Sequence, residues 1–156
     1  GVQTWMKDLN RLYDTQPALF EHDFDYTGFE WIEVNDVEQS VFAYMRFADN
    51  RTDFVVVACN FTPVVRYDYR IGVPQKGFYR ELLNSDAGIY GGGGVGNLGG
   101  VQSEDVPSHV HGQSLRLTIP PLGIIILKLD GAPSGEVHVE AAPLTIDQIP
   151  PNVNAN

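Results

Sequence analysis

Leu115-Arg-Leu-Thr-Ile119-Pro-Pro-Leu-Gly123-Ile-Ile-Ile-Leu127 is the stretch whose reading decides the fold. Leu115, Leu117 and Ile119 fall on one side of an extended chain and Arg116 and Thr118 on the other, the period-two pattern of a strand. Pro120 and Pro121 have no backbone N–H to give, so they interrupt the hydrogen-bond ladder before Ile124 to Leu127 resumes as a buried strand. Working outward, the chain after Gly28 repeats this vocabulary: short runs of β-branched and aromatic residues separated by Gly, Pro, Asn and Asp clusters. Strands are expected near Phe29 to Val34, Ser40 to Phe47, Phe54 to Asn60, Tyr67 to Val73, Gly77 to Leu83, Ser114 to Ile119 and Gly123 to Leu129. Short strands in that number predict a mainly β fold, an antiparallel β-sandwich.

The first residues follow a different period. Val2, Trp5, Met6, Leu9, Leu12 and Tyr13 recur at three and four, the stripe of an amphipathic helix. The stripe is already running at Val2, although Thr4 is a cap candidate, so the helix is expected to continue from residues upstream. Pro17 ends this helix or opens a short second one, with Thr15 as its expected cap. At the other end, residues 131 to 156 hold four prolines, no aromatic residue and only acidic formal charges. Such a composition buries little surface against chain entropy and predicts a mobile tail, with Val137-His-Val139 as an alternative edge strand. The organisation expected is 1–27 helix and connector, 28–129 β-sandwich and 130–156 tail.

Length and charge narrow the function. A chain of 156 residues with a 43% hydrophobic share fills one core. Its formal charge of −10 repels nucleic acid and anionic membrane surfaces, so neither is an expected partner, whereas a neutral sugar polymer meets no such barrier. The longest apolar stretches, Phe54 to Cys59 and Gly123 to Leu127, fall far short of the ~20 residues of a spanning helix. The single cysteine, Cys59, ends an apolar run and reads as a buried structural thiol. Without a disulfide or a visible signal peptide, a cytoplasmic home is expected.

Several motifs invite chemistry and are better explained as structure. Gly94-Val-Gly96-Asn-Leu-Gly99 fits a dinucleotide fingerprint in form, but no strand precedes it and no helix start follows, so a flexible glycine-rich surface loop is expected and nucleotide binding is not. His109 and His111 share one side of an extended segment, yet with only Glu104 and Asp105 near them they read as ordinary hydrogen-bonding histidines, and no metal is expected. The carboxylate pairs Asp23 with Asp25 and Glu30 with Glu33 suggest glycosidic acid chemistry. In a chain with 20 acids against 10 bases, however, solvated surface charges are the expectation. Asn60-Phe61-Thr62 fits a glycosylation sequon, but Pro63 follows, and a strand ending in a turn with Asn60 bonded to the backbone beyond it is the better reading. Phe24, Tyr26, Phe29 and Trp31 cluster where the helical part meets the β part. Their flat faces suit either packing or the apolar faces of sugar rings.

Six segments, taken in order, resemble one family: Trp5-Met-Lys-Asp-Leu-Asn-Arg-Leu-Tyr13, Gly28-Phe-Glu-Trp-Ile32, Val57-Ala-Cys-Asn-Phe-Thr-Pro63, Tyr69-Arg-Ile-Gly-Val-Pro74, Glu81-Leu-Leu-Asn-Ser-Asp86 and Leu117-Thr-Ile-Pro-Pro-Leu122. They are similar to the end of bacterial glycogen branching enzymes of the alpha-amylase superfamily, from residue 2 to about 129, with no counterpart for the tail. The resemblance implies that the first helix is the last helix of a (β/α)8 catalytic barrel and that the strands form the C-terminal β-sandwich. It implies an activity too: transfer of an α-1,4-glucan segment, by way of an aspartyl intermediate, to a 6-hydroxyl, making an α-1,6 branch without a cofactor. The family's catalytic acids lie on barrel strands before Gly1, so no catalytic residue is expected here. Trp31, in Gly28-Phe-Glu-Trp-Ile32, is the one residue the resemblance implies as substrate-binding, with glycogen or amylose and the rest of the barrel as partners. The competing expectation is a free-standing β-sandwich that binds glucan or buttresses another domain without catalysis. The segment His109-Val-His-Gly-Gln-Ser114 fits the family only loosely.

Overall fold

In a computed structural model, described here for residues 1–131, the chain forms two helices and eight strands. Helix α1 (Val2–Thr15) starts from Gly1 as its N-cap, with no side chain capping it, so Thr4 lies inside the helix rather than at its edge. Its end is set by Pro17, which clashes with a helical predecessor: Gln16 is extended at φ −113 and ψ 102. The short α2 (Pro17–Phe20) then begins with Gln16 in the cap position. Thr15 is not the cap expected of it, because its hydroxyl donates back to the carbonyl of Arg11 at 2.8 Å.

All seven expected strands form: β1 (Phe29–Glu33), β2 (Val41–Phe47), β3 (Phe54–Asn60), β4 (Arg66–Val73), β5 (Phe78–Asn84), β7 (Gln113–Ile119) and β8 (Gly123–Leu129). An eighth, β6 (Gly100–Gln102), was not expected; it lies at a sheet edge against β5. The strands pair antiparallel in a six-stranded sheet of order β1-β2-β3-β8-β5-β6 and a two-stranded sheet of β4 and β7. Val41, Ala43, Met45, Phe54, Val56, Ala58, Ile125 and Leu127 of the large sheet meet Ile71, Leu115, Leu117 and Ile119 of the small one in a single core. Leu115, Leu117 and Ile119 are fully buried while Arg116 is exposed, so the alternation read in β7 is real. Pro120 to Leu122 carries the chain from the small sheet to the large one.

The outer face of the large sheet carries a second cluster. Leu12 and Ala18, with Trp5, Leu9 and Leu19 beside them, cover Val55 and Val57 of β3, Leu83 of β5 and Ile126 of β8. Because β3 and β8 are covered on both faces, their sequences are continuous apolar runs rather than alternations. A buried ion pair lies at this junction. Lys128, 6% exposed, donates to Asp53 Oδ1 at 2.8 Å and to Gln16 Oε1 at 2.6 Å, tying the elbow between α1 and α2 to the sheet. Among the described residues no helix is long and apolar enough to cross a membrane. The mobile tail and the Val137-His-Val139 strand fall on positions 132–156, outside the described residues.

Candidate functional site

The two-residue period of β1 and β2 puts Phe29, Trp31, Phe42 and Tyr44 on the outer face of the large sheet, where Tyr44 packs against the cluster under the helices while Phe29, Trp31 and Phe42 stay exposed. Trp31 pairs across the strands with Tyr44, their rings 5.9 Å apart and edge to face. Phe29 meets Trp31 at 4.9 Å and stacks on Tyr44 at 5.1 Å, and Trp31 meets Phe42 at 6.3 Å. Phe42 in turn meets Phe61 at 5.4 Å, so the rings form one strip. Trp31 is 51% exposed and Phe61 61% exposed, which leaves ring surface free for a ligand. The strip runs on into a shallow apolar groove lined by Trp5, Cys59, Phe61, Leu122 and Ile124. Of the aromatic residues singled out in the sequence, Phe29 and Trp31 are brought together here. Phe24 and Tyr26 project from the connector, strongly exposed.

Phe42, Tyr44 and Phe61 are members of the strip that the sequence reading did not pick out. Phe42 was findable, since the alternation Val41 to Phe47 places it beside Trp31 once β1 and β2 are paired. Phe61 was not, because its place depends on how Asn60 turns the chain. Asn60, 2% exposed, accepts from the Thr62 backbone N–H at 3.0 Å and donates to the carbonyls of Val64 at 2.7 Å and Pro120 at 3.0 Å. That is the structural role expected for it, and the committed amide has no room for a glycan. Cys59 lies in the outer cluster, and burial pushes its thiol up to about 11.

The carboxylates near the strip are engaged in hydrogen bonds and ion pairs. Asp23 accepts from the Tyr13 hydroxyl and from Arg46 Nη2, and these bonds lower its pKa. Asp25, bonded first by Thr27 and then by His22, is held down at about 2. Burial pushes Glu33 up, but the Asn35 N–H and His109 outweigh it and the carboxyl stays below its usual value. Glu30 pairs with Arg51 and His111. None of these shifts makes a neutral acid at pH 7, so the arrangement has no proton donor of the glycosidase kind.

His109 accepts from the Gly72 backbone N–H at its Nδ1, 3.1 Å, which leaves Nε2 to carry the proton toward Glu33 Oε2 at 2.9 Å. His109 bonds Glu33 and His111 Nε2 lies 3.4 Å from Glu30 Oε1, both reaching β1 from a tight turn whose central residues, His109 and Val110, have φ of 48 and 62. Among the described residues no group of three or more His, Cys, Asp or Glu is placed to hold a metal ion.

The glycine-rich segment is a surface loop, but it is fastened where a flexible one was expected. Asp86 accepts from the N–H groups of Gly93 and Val95 at 2.9 Å each, and Asn97 bonds Glu81 and both backbone groups of Thr118. A carboxylate of the chain itself thus occupies the N–H groups that a phosphate cradle would need free.

Residues 31–130 match the family described as alpha amylase, C-terminal all-beta domain. The chain belongs to this family. Relatives of the all-beta domain with high identity are named 1,4-alpha-glucan branching enzyme GlgB. The one from Aromatoleum aromaticum is 54% identical over 81% of this chain and 20% of its own length. Those from Aquifex aeolicus and Burkholderia thailandensis are 48% and 54% identical over 84% of this chain, and 21% and 16% of theirs. The chain spans about a fifth of the length of such relatives, and the all-beta domain accounts for most of the matched part.

Proposed function

We propose that this chain is the C-terminal part of a 1,4-alpha-glucan branching enzyme that works in the cytoplasm on glycogen or amylose. In this reading residues 1–27 end the catalytic barrel, 28–129 form the C-terminal sandwich, and 130–156 are an appended tail. The observation that carries it is identity near 50% over more than four-fifths of the chain to proteins of that name. Two structural features support it. Val2, Met6 and Tyr13 leave part of the apolar stripe of α1 exposed, a surface suited to the remainder of a barrel. Half-exposed Trp31, at the centre of an aromatic strip, suits the apolar face of a glucose ring. In the family's chemistry an aspartate upstream carries the glycosyl group, and this chain buttresses the barrel and touches the glucan. No observation favours the free-standing module over this reading.

The test is an iodine-stain branching assay of the complete polypeptide beside this chain alone. Branching is expected only from the complete polypeptide. Branching by this chain would overturn the placement of catalysis upstream, and a complete polypeptide that forms no α-1,6 linkage would overturn the assigned reaction.

A further inference from the structure

We infer that His22 is a positioning residue: as an imidazolium between Asp25 and Asp49 it forms a proton-dependent clasp that fixes the connector leading into the aromatic strip. Its Nδ1 lies 2.9 Å from Asp25 Oδ2 and its Nε2 lies 2.8 Å from Asp49 Oδ1. Ionised carboxylates only accept, so both ring nitrogens must donate, and a neutral imidazole has just one N–H. Thr27 agrees with this count. Its hydroxyl donates to Asp25 Oδ1, which leaves the oxygen to accept from His22 Nδ1 at 3.2 Å.

The other charged groups of the two joined segments are committed elsewhere. On the connector, Asp23 holds Arg46, and Glu21 accepts from the Asp49 N–H at 2.7 Å. On the β2–β3 turn, Arg51 donates to the Thr27 carbonyl at 2.8 Å and reaches Glu30. Among the described residues of these two segments, no cation is therefore left to replace His22 when it loses its proton.

The clasp grips the chain at its entry to β1. A Cβ added to Gly28 would lie 2.3 Å from the His22 Cβ, so the connector backbone passes directly against the histidine. The next residue, Phe29, stacks on Tyr44 and meets the Trp31 ring. Asp25 first, then Asp49, raises the His22 pKa above its ordinary value near 6.5. A raised folded pKa means the contribution is fully present below about pH 6.5 and fades as pH rises through the folded value. Asp25, held at about 2, keeps its charge through the acid range, so the clasp is complete there and is lost as pH rises through the raised His22 value. Its meaning for glucan rests on the function proposed above; the clasp itself does not.

The experiment uses the complete polypeptide labelled with ring-15N histidine and 5-fluorotryptophan, with His22 and Trp31 signals identified from His22→Gln and Trp31→Phe. His22 is expected to titrate above 6.5, and Asp49→Asn is expected to lower its midpoint. The Trp31 fluorine signal is expected to shift with the His22 midpoint and to lose that pH response in His22→Gln. A His22 midpoint at or below 6.5, or one that Asp49→Asn leaves unmoved, overturns the clasp. A Trp31 signal that is flat through the His22 titration overturns the positioning role. Neither readout needs branching activity, so a failure of the proposed function shows separately in the iodine assay.

Discussion

The two halves of the large sheet's outer face lie on different strands of one sheet and meet different fates. Under α1 and α2 the face is aliphatic: Val55, Val57, Leu83 and Ile126 are buried against Leu12 and Ala18. Beside the helices, on β1 and β2, it is aromatic, and Trp31, Phe42 and Phe61 remain open. The single surface is thus packed on one half and left open on the other. Aliphatic side chains fill space where water is excluded, whereas stacked rings hold one another in place while still showing a face to solvent.

That division is open to attack at four points. The covered half should suffer most from the loss of Asp53, since Asp53→Ala removes the buried carboxylate that accepts from Lys128 at the junction. A loss of about 3–5 kcal/mol in chemical denaturation is expected. A change under ~1 kcal/mol would mean the elbow is not held there. Next, Ile126→Ala opens a void beneath α1 and should cost about 2–4 kcal/mol; little change would show that the helix settles into the gap.

On the open half the effect moves from stability to activity. Trp31→Ala gives up ring contacts worth about 1 kcal/mol, so the melting temperature should move little, while on the function proposed above the complete polypeptide should slow on long glucans. Unchanged kinetics on amylose together with an unchanged melting temperature would remove Trp31 from the binding surface. The mildest probe is Cys59, at the border of the two halves. With its thiol near 11, about one molecule in a thousand is thiolate at pH 8, so alkylation by iodoacetamide should be far slower than for a free cysteine. Rapid labelling would move the border and count Cys59 with the open half.

Much of this was legible before any coordinates. Helix α1 announced itself by Trp5, Leu9 and Leu12, and β7 by Leu115, Leu117 and Ile119, because one-sided burial writes its period into the chain. Strand β6 was hidden: Gly100-Val-Gln102 has the composition of a loop, and only pairing with Phe78 to Arg80 makes it a strand. The glycine loop was misjudged for a related reason. Gly91 to Gly99 contains no hint of its stiffness, which comes from Glu81, Asn84 and Asp86 before it and Thr118 well after it. His22 showed half its environment, since Asp25 is three residues on, but Asp49 is 27 away and reaches it only through the fold. Local periodicity survives in sequence. Partnerships made across the fold do not.

The position of β8 has a consequence for assembly. The last strand among the described residues is inserted between β3 and β5, far from the edges of its sheet. Until it arrives, β1-β2-β3 and β5-β6 are two separate ribbons, each with an unpaired apolar margin. During synthesis the nascent chain must therefore keep those margins from foreign strands until the closing piece has emerged, which makes Ile124 to Leu127 both the keystone of the sheet and its point of greatest exposure to misassembly.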